Sequence, residues 1–154
     1  MNITIITVGK NNERCIQQLI DEYSGRIKAK LNWIMIPNQN MASDASQTKL
    51  KETDIIIKKL ESINDSYKIL LDEKGKMIKS EQLSQIIEQT KIDAKNLVFV
   101  IGGAYGVEPK LYQKVDFIWS LSSLVFPHRL VRLILAEQIY RATSISSGSK
   151  YHHA

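Results

Sequence analysis

Residues 98–101 (VFVI) are β-branched or aromatic without a break, and they run directly into Gly102, Gly103 and Gly106 ahead of Pro109. An apolar run with no polar alternation suits a strand buried on both faces, the kind found in parallel sheets covered by helices. The glycines supply backbone that can take positive φ or admit a close neighbour. Pro109 stands where a helix can begin. A buried strand, a glycine loop and a helix start form a frequent ligand-holding unit in α/β folds.

The rest of the chain repeats this alternation. Residues 3–8, 32–36, 67–71, 97–101 and 116–121 read as strands. Helices are expected over 11–30, with Ile16, Ile20, Tyr23 and Ile27 on one face, and over 48–63. A third starts at Ser80, which is placed to cap it, and continues through Leu83, Ile86 and Ile87. A short helix near 109–114 and a long one from His128 complete the pattern, with a loop at 38–46 and a turn at 72–76 (DEKGK). The expectation is one α/β domain over residues 1–154, a mainly parallel sheet with helices on both faces. Pattern alone draws that sheet as doubly wound and unknotted, because threaded chains are very rare.

One cysteine, Cys15, excludes an intrachain disulfide and a four-cysteine zinc site, which fits a reducing, cytoplasmic setting. No metal is expected, since His128 and Cys15 are distant partners for the adjacent His152 and His153. The first eight residues lack the basic start and cleavage site of a signal peptide, and no apolar run approaches the ~20 residues of a membrane span. The net charge of +5 favours polyanionic partners, with nucleic acid the commonest, although the lysines are scattered as on a solvated surface.

The glycine loop is not a nucleotide signature. A dinucleotide fingerprint needs glycines at relative positions one, three and six, and here they stand at one, two and five. A P-loop would end in Gly-Lys-Ser/Thr, and here Val-Glu-Pro follows Gly106. Without a basic residue the loop suits a ligand lacking phosphates, or serves only as a tight turn. On the final helix Arg129, Arg132, Ala136 and Tyr140 share one stripe at ~100° per residue, with apolar residues around most of the rest. That stripe reads as a phosphate and base contact or as a solvated edge. His128 opens the helix, where the dipole disfavours imidazolium; it can accept a proton, or merely cap or pack.

VGK near the start, LLDEKGK, VFVIGGAYG, SLSSLVFPHRLVR, AEQIYRA and the terminal YHH together resemble the bacterial RlmH family, small SPOUT-class methyltransferases. The match runs in order from Ile3 to His152 and is least distinctive over 38–62. The resemblance implies methylation of a pseudouridine at N3 in 23S ribosomal RNA, on the assembled ribosome, with S-adenosylmethionine as cofactor. It implies a homodimer, a C-terminal trefoil knot that forms the cofactor pocket, and a final helix and tail near the partner's active site.

By position, the family's cofactor contacts fall on Leu71, Gly102, Leu121, Ser122, Ser123, Leu124, Val125 and Phe126. His128 is the expected base, with Arg132 as an anion stabiliser and His152 of the tail as alternatives. Arg129, Arg132, Tyr140, Tyr151 and His152 are the expected RNA contacts. Relatives usually follow Tyr-His with Arg or Lys, whereas His153 stands here. A nicotinamide-linked enzyme and a non-catalytic RNA-binding module are the rival classes, the first opposed by the glycine spacing.

Overall fold

The computed structural model of the chain describes residues 1–39 and 44–148. Five strands, β1 (Asn2–Val8), β2 (Lys30–Ile36), β3 (Ser66–Met77), β4 (Asn96–Ile101) and β5 (Phe117–Ser120), form one sheet in the order β2-β1-β4-β3-β5. Every pairing is parallel. The helices are α1 (Arg14–Arg26), α2 (Ala45–Glu61), α3 (Ser80–Ile92), α4 (Pro109–Tyr112) and α5 (His128–Ser146).

Alternation along the central strands divides the core in two. Ile3, Ile5, Ile69, Leu97 and Phe99 pack beneath α1, α3 and α5, against Ile27, Leu83, Ile87, Leu135 and Ile139. Ile6, Val8, Leu70, Val98 and Val100 face the other way, onto Ile56 and Leu60 of α2 and Leu111 of α4. Helices therefore cover both faces, as the unalternated run at 98–101 requires. Each such side chain removed from water contributes about 1.5–3 kcal/mol. Among the described residues no helix is long and apolar enough to cross a membrane.

Three local expectations are corrected. The first helix begins at Arg14 rather than residue 11, and Lys30 already belongs to β2, paired with Asn2. Ser80 does not cap α3: Lys79 is the cap residue, its N–H donating to Gln82 Oε1 at 2.9 Å. The Ser80 hydroxyl instead donates to Gln138 Oε1 of α5 at 2.7 Å, tying the two helices. Residues 72–76 are not a free turn, because β3 runs on to Met77. Its pairing with β5 slips there, so that Leu71 and Lys76 both face Trp119.

After β4 the chain passes the glycine loop and α4 on one face, reaches β5 at the sheet's edge, and crosses to α5 on the opposite face. That path accords with the knotted C-terminal region implied by the resemblance.

Candidate active site at the C-terminal edge of the sheet

Leu71 in the middle of β3 lies beside the C-terminal ends of β4 and β5, and together with the segments leaving those strands it encloses a cavity of about 460 Å³. Leu71 and Asp72 come from β3, Gly102 to Val107 from the glycine loop, and Trp119 to Ser122 with Leu124 to Phe126 from the end of β5 and the loop after it. His128 and Val131 close the wall from the first turn of α5, and Tyr112 closes it from α4. Ligands are expected at this edge of a parallel sheet.

The glycine loop is shaped by close approach as much as by backbone freedom. Gly106 has φ +74°, and its N–H donates to Gly103 O at 3.0 Å. A Cβ on Gly102 would lie 2.7 Å from Val107 Cγ1. One on Gly103 would overlap Oε2 of Glu52, a buried carboxylate of α2 whose Oε1 accepts the Gln39 N–H at 3.2 Å. The base of α4 is anchored to α2, with Glu108 N donating to Thr53 Oγ1 at 3.0 Å and Lys49 Nζ 3.3 Å from Glu108. The loop after β5 is braced internally. Ser120 Oγ donates to Ser122 O at 2.9 Å, and Ser122 Oγ accepts from Leu124 N at 3.0 Å. Leu124 and Val125 nevertheless stand 68% and 81% exposed, an apolar rim open to solvent.

Of the residues expected to hold cofactor, Leu71, Gly102, Leu121, Ser122, Leu124, Val125 and Phe126 line this cavity, and Ser123 does not. His128 also lines it; its pKa is lowered from 6.5, first by burial and then by the nearby Arg132 charge, so the imidazole is neutral at pH 7.

The basic stripe is not one surface. Arg129 is exposed and pairs with Glu13 of the segment before α1. Arg132 is only 1% exposed. Its Nε donates to Thr7 Oγ1 at 3.0 Å and its Nη2 to Val8 O at 2.9 Å. Its Nη1 donates to Lys10 O at 2.8 Å and Asn12 Oδ1 at 2.9 Å. Four of the five guanidinium donors are thus engaged by the end of β1 and the turn after it. Ala136 is fully buried, and the ring of Tyr140 is half-buried, 5.9 Å from that of Tyr23 and 5.9 Å beneath the Arg26 guanidinium. Helical spacing placed these four together, but α5 packs between α1 and α3, and the β1–α1 turn covers the middle of the stripe. Tyr151, His152 and His153 lie outside the described residues.

Sequence reasoning missed Asp72, Tyr112, Lys49 and Trp119 as wall residues. Only Asp72 had a signal, its place in LLDEKGK.

The family described as "Predicted SPOUT methyltransferase" matches residues 1–152. The chain belongs to that family. It is 41% identical to ribosomal RNA large subunit methyltransferase H of Clostridium botulinum (strain Alaska E43 / Type E3), over 99% of both chains. Proteins of the same name from Alkaliphilus oremlandii and Shouchella clausii are 41% and 39% identical over the same share. A crystal structure from Bacillus anthracis, described as that of an inferred RNA methyltransferase, superposes with TM-score 0.54 at 12% identity, over 97% of this chain and 99% of that one. It supports the fold. The chain is accordingly a methyltransferase.

Proposed function

We propose that the protein transfers a methyl group from S-adenosylmethionine to N3 of a pseudouridine in 23S ribosomal RNA, on the assembled ribosome in the cytoplasm. The observation that carries this reading is the cavity. Its volume suits a nucleoside-sized ligand, and its walls join an apolar side (Leu71, Ile101, Leu121, Val131) to backbone groups of the glycine loop. The glycine loop itself, residues 102–107, contributes no basic side chain, as befits a cofactor without phosphates, and the cavity's lysines, Lys49 and Lys74, come from α2 and β3. Leu71, Gly102, Leu121, Ser122 and residues 124–126 would hold the cofactor, which supplies an electrophilic methyl when bound.

The chain's own task is then alignment and proton removal. His128, neutral and on the cavity wall, takes the proton from N3. Arg132, expected as an anion stabiliser, is buried, is engaged by Thr7, Val8, Lys10 and Asn12 and does not line the cavity; its charge adds to burial in keeping the imidazole neutral. Arg129 contributes to RNA binding, with Tyr140 at the edge of the same helix and Tyr151 and His152 supplied by the tail. His152 of the tail is the alternative base.

A homodimer is part of the proposal. Leu19 of α1 and Leu130 of α5 are 44% and 40% exposed on neighbouring helices, and Leu133 and Ile134 are half-buried. A second copy covering them would remove this apolar surface from water. Calorimetric titration should find one S-adenosylmethionine site per chain in a particle of twice the chain mass. Absence of binding would remove the cofactor from the reading.

A further inference from the structure

The slip between β3 and β5 leaves residues 72–75 as a bulge, since Leu71 and Lys76 both pair with Trp119. Bulges beside sites re-aim side chains. This one is seated tightly, because a Cβ on Gly75 would come within 2.7 Å of the Ile118 and Trp119 backbone. Within the bulge the Asp72 carboxylate is fixed at both oxygens. Oδ1 accepts the Lys74 N–H at 2.9 Å, and Oδ2 accepts the Tyr112 hydroxyl at 2.8 Å. Tyr112 reaches it from α4, at the far end of the glycine loop, and both residues line the cavity.

Burial, the hydrogen bond to Asp72 and the charges of Asp72 and Glu73 push the Tyr112 hydroxyl up to about 12, so it remains a donor at any working pH. An ionised carboxylate offers roughly four acceptor positions. Two are engaged by protein, which orients the group while leaving capacity for a ligand. A carboxylate already held in place loses little freedom when a ligand arrives.

We propose that Asp72 is a cofactor-binding residue, held by Tyr112 and the bulge, that accepts hydrogen bonds from donor groups of S-adenosylmethionine. This rests on the cofactor reading above. The donors on offer are the ribose hydroxyls, the adenine amino group and the ammonium of the methionyl part, because these are the groups that need an acceptor. The apolar walls at Leu121 and Val131 take the flat base, and Asp72 marks the polar end of the cavity. Tyr112 is a positioning residue that acts through Asp72.

Calorimetry with S-adenosylhomocysteine and with 5′-methylthioadenosine tests this. Failure of the wild type to bind S-adenosylhomocysteine would overturn the cofactor reading itself. With wild-type binding in hand, Asp72→Asn should weaken S-adenosylhomocysteine about ten- to a hundredfold, the worth of a charge-assisted hydrogen bond. Methylthioadenosine keeps the hydroxyls and lacks the ammonium. A penalty that persists with it assigns Asp72 to the nucleoside part, one that vanishes assigns it to the ammonium, and both support the proposal. Tyr112→Phe, which keeps the ring, should raise KM for S-adenosylmethionine several-fold at unchanged kcat. Wild-type affinity in Asp72→Asn would overturn the proposal and leave the cofactor reading standing.

Discussion

Arg132, one turn into α5, donates from Nη2 to the main-chain oxygen of Val8 at 2.9 Å, across 124 residues of sequence. Gly9, the next residue, has φ +133°, and a Cβ there would lie 2.5 Å from the same Nη2. The end of β1 and the start of α5 are therefore fitted to each other beside the cavity. A buried guanidinium in this position supports the turn rather than solvating an edge.

Arg132→Met should consequently cost stability on the order of 1–3 kcal/mol, because Val8 O loses a charge-assisted donor in a buried place and Lys10 O one in a part-buried place. Arg129→Ala, which removes an exposed partner of Glu13, should cost less than about 1 kcal/mol. Urea denaturation of the two variants decides. Equal, small losses would mean that the buried contacts are incidental.

Gly103→Ala should weaken cofactor binding by displacing Glu52 and with it the glycine loop, at a cost of roughly 1–3 kcal/mol to folding. Gly106→Ala meets no atom within 4 Å and suffers only from φ +74°, about 1 kcal/mol. Titration of both variants should rank Gly103 well above Gly106 in lost affinity. The reverse order would show that the loop's backbone shape matters more than its contact with α2.

His128 supplies a pH dependence with a definite sign. Its folded-state pKa lies below the ordinary 6.5, so the unfolded chain takes up a proton first as pH falls. Its contribution to stability is constant above that value and declines below it, levelling once the folded imidazole protonates. The stability difference between wild type and His128→Gln, measured by denaturation from pH 8 to pH 5, should shift in that window against the wild type. A difference that stays flat would place His128 in a solvent-like environment. Methyl transfer by the wild type should likewise be insensitive to His128 protonation at pH 7 and fall in acid.

Much of the fold was legible because its signals are local. The unalternated run at 98–101 announced a strand covered on both faces, and the helical spacing of Ile16, Ile20 and Tyr23 found the inner side of α1, although Ile27 is buried just beyond the helix in extended backbone. What escaped depends on partners far away in sequence. Arg132 belongs by spacing to an exposed stripe, yet residues 7–12 fold over it. The stretch DEKGK has the composition of a turn, but Gly75 lies against the β5 backbone and draws the strand onward to Met77. Tyr112 and Asp72 are 40 residues apart, and no local pattern joins them.

The same distinction governs the site. Leu71, Gly102 and the stretch 121–126 were named from a resemblance carried by motifs, and the common place of all but Ser123 on one cavity follows from the strand order β4-β3-β5. That order is set by contacts between strands, which spacing along the chain does not record.

The central claim is that this cavity delivers a methyl group to ribosomal RNA. Its most direct test is transfer of tritium from labelled S-adenosylmethionine to ribosomes from cells lacking the endogenous modification, followed by mass mapping of the labelled nucleotide. The account predicts label in 23S RNA, on N3 of a pseudouridine, abolished by Gly102→Val, whose side chain would collide with Val107. No transfer to ribosomes, large subunits or free RNA by a protein that binds the cofactor would contradict it.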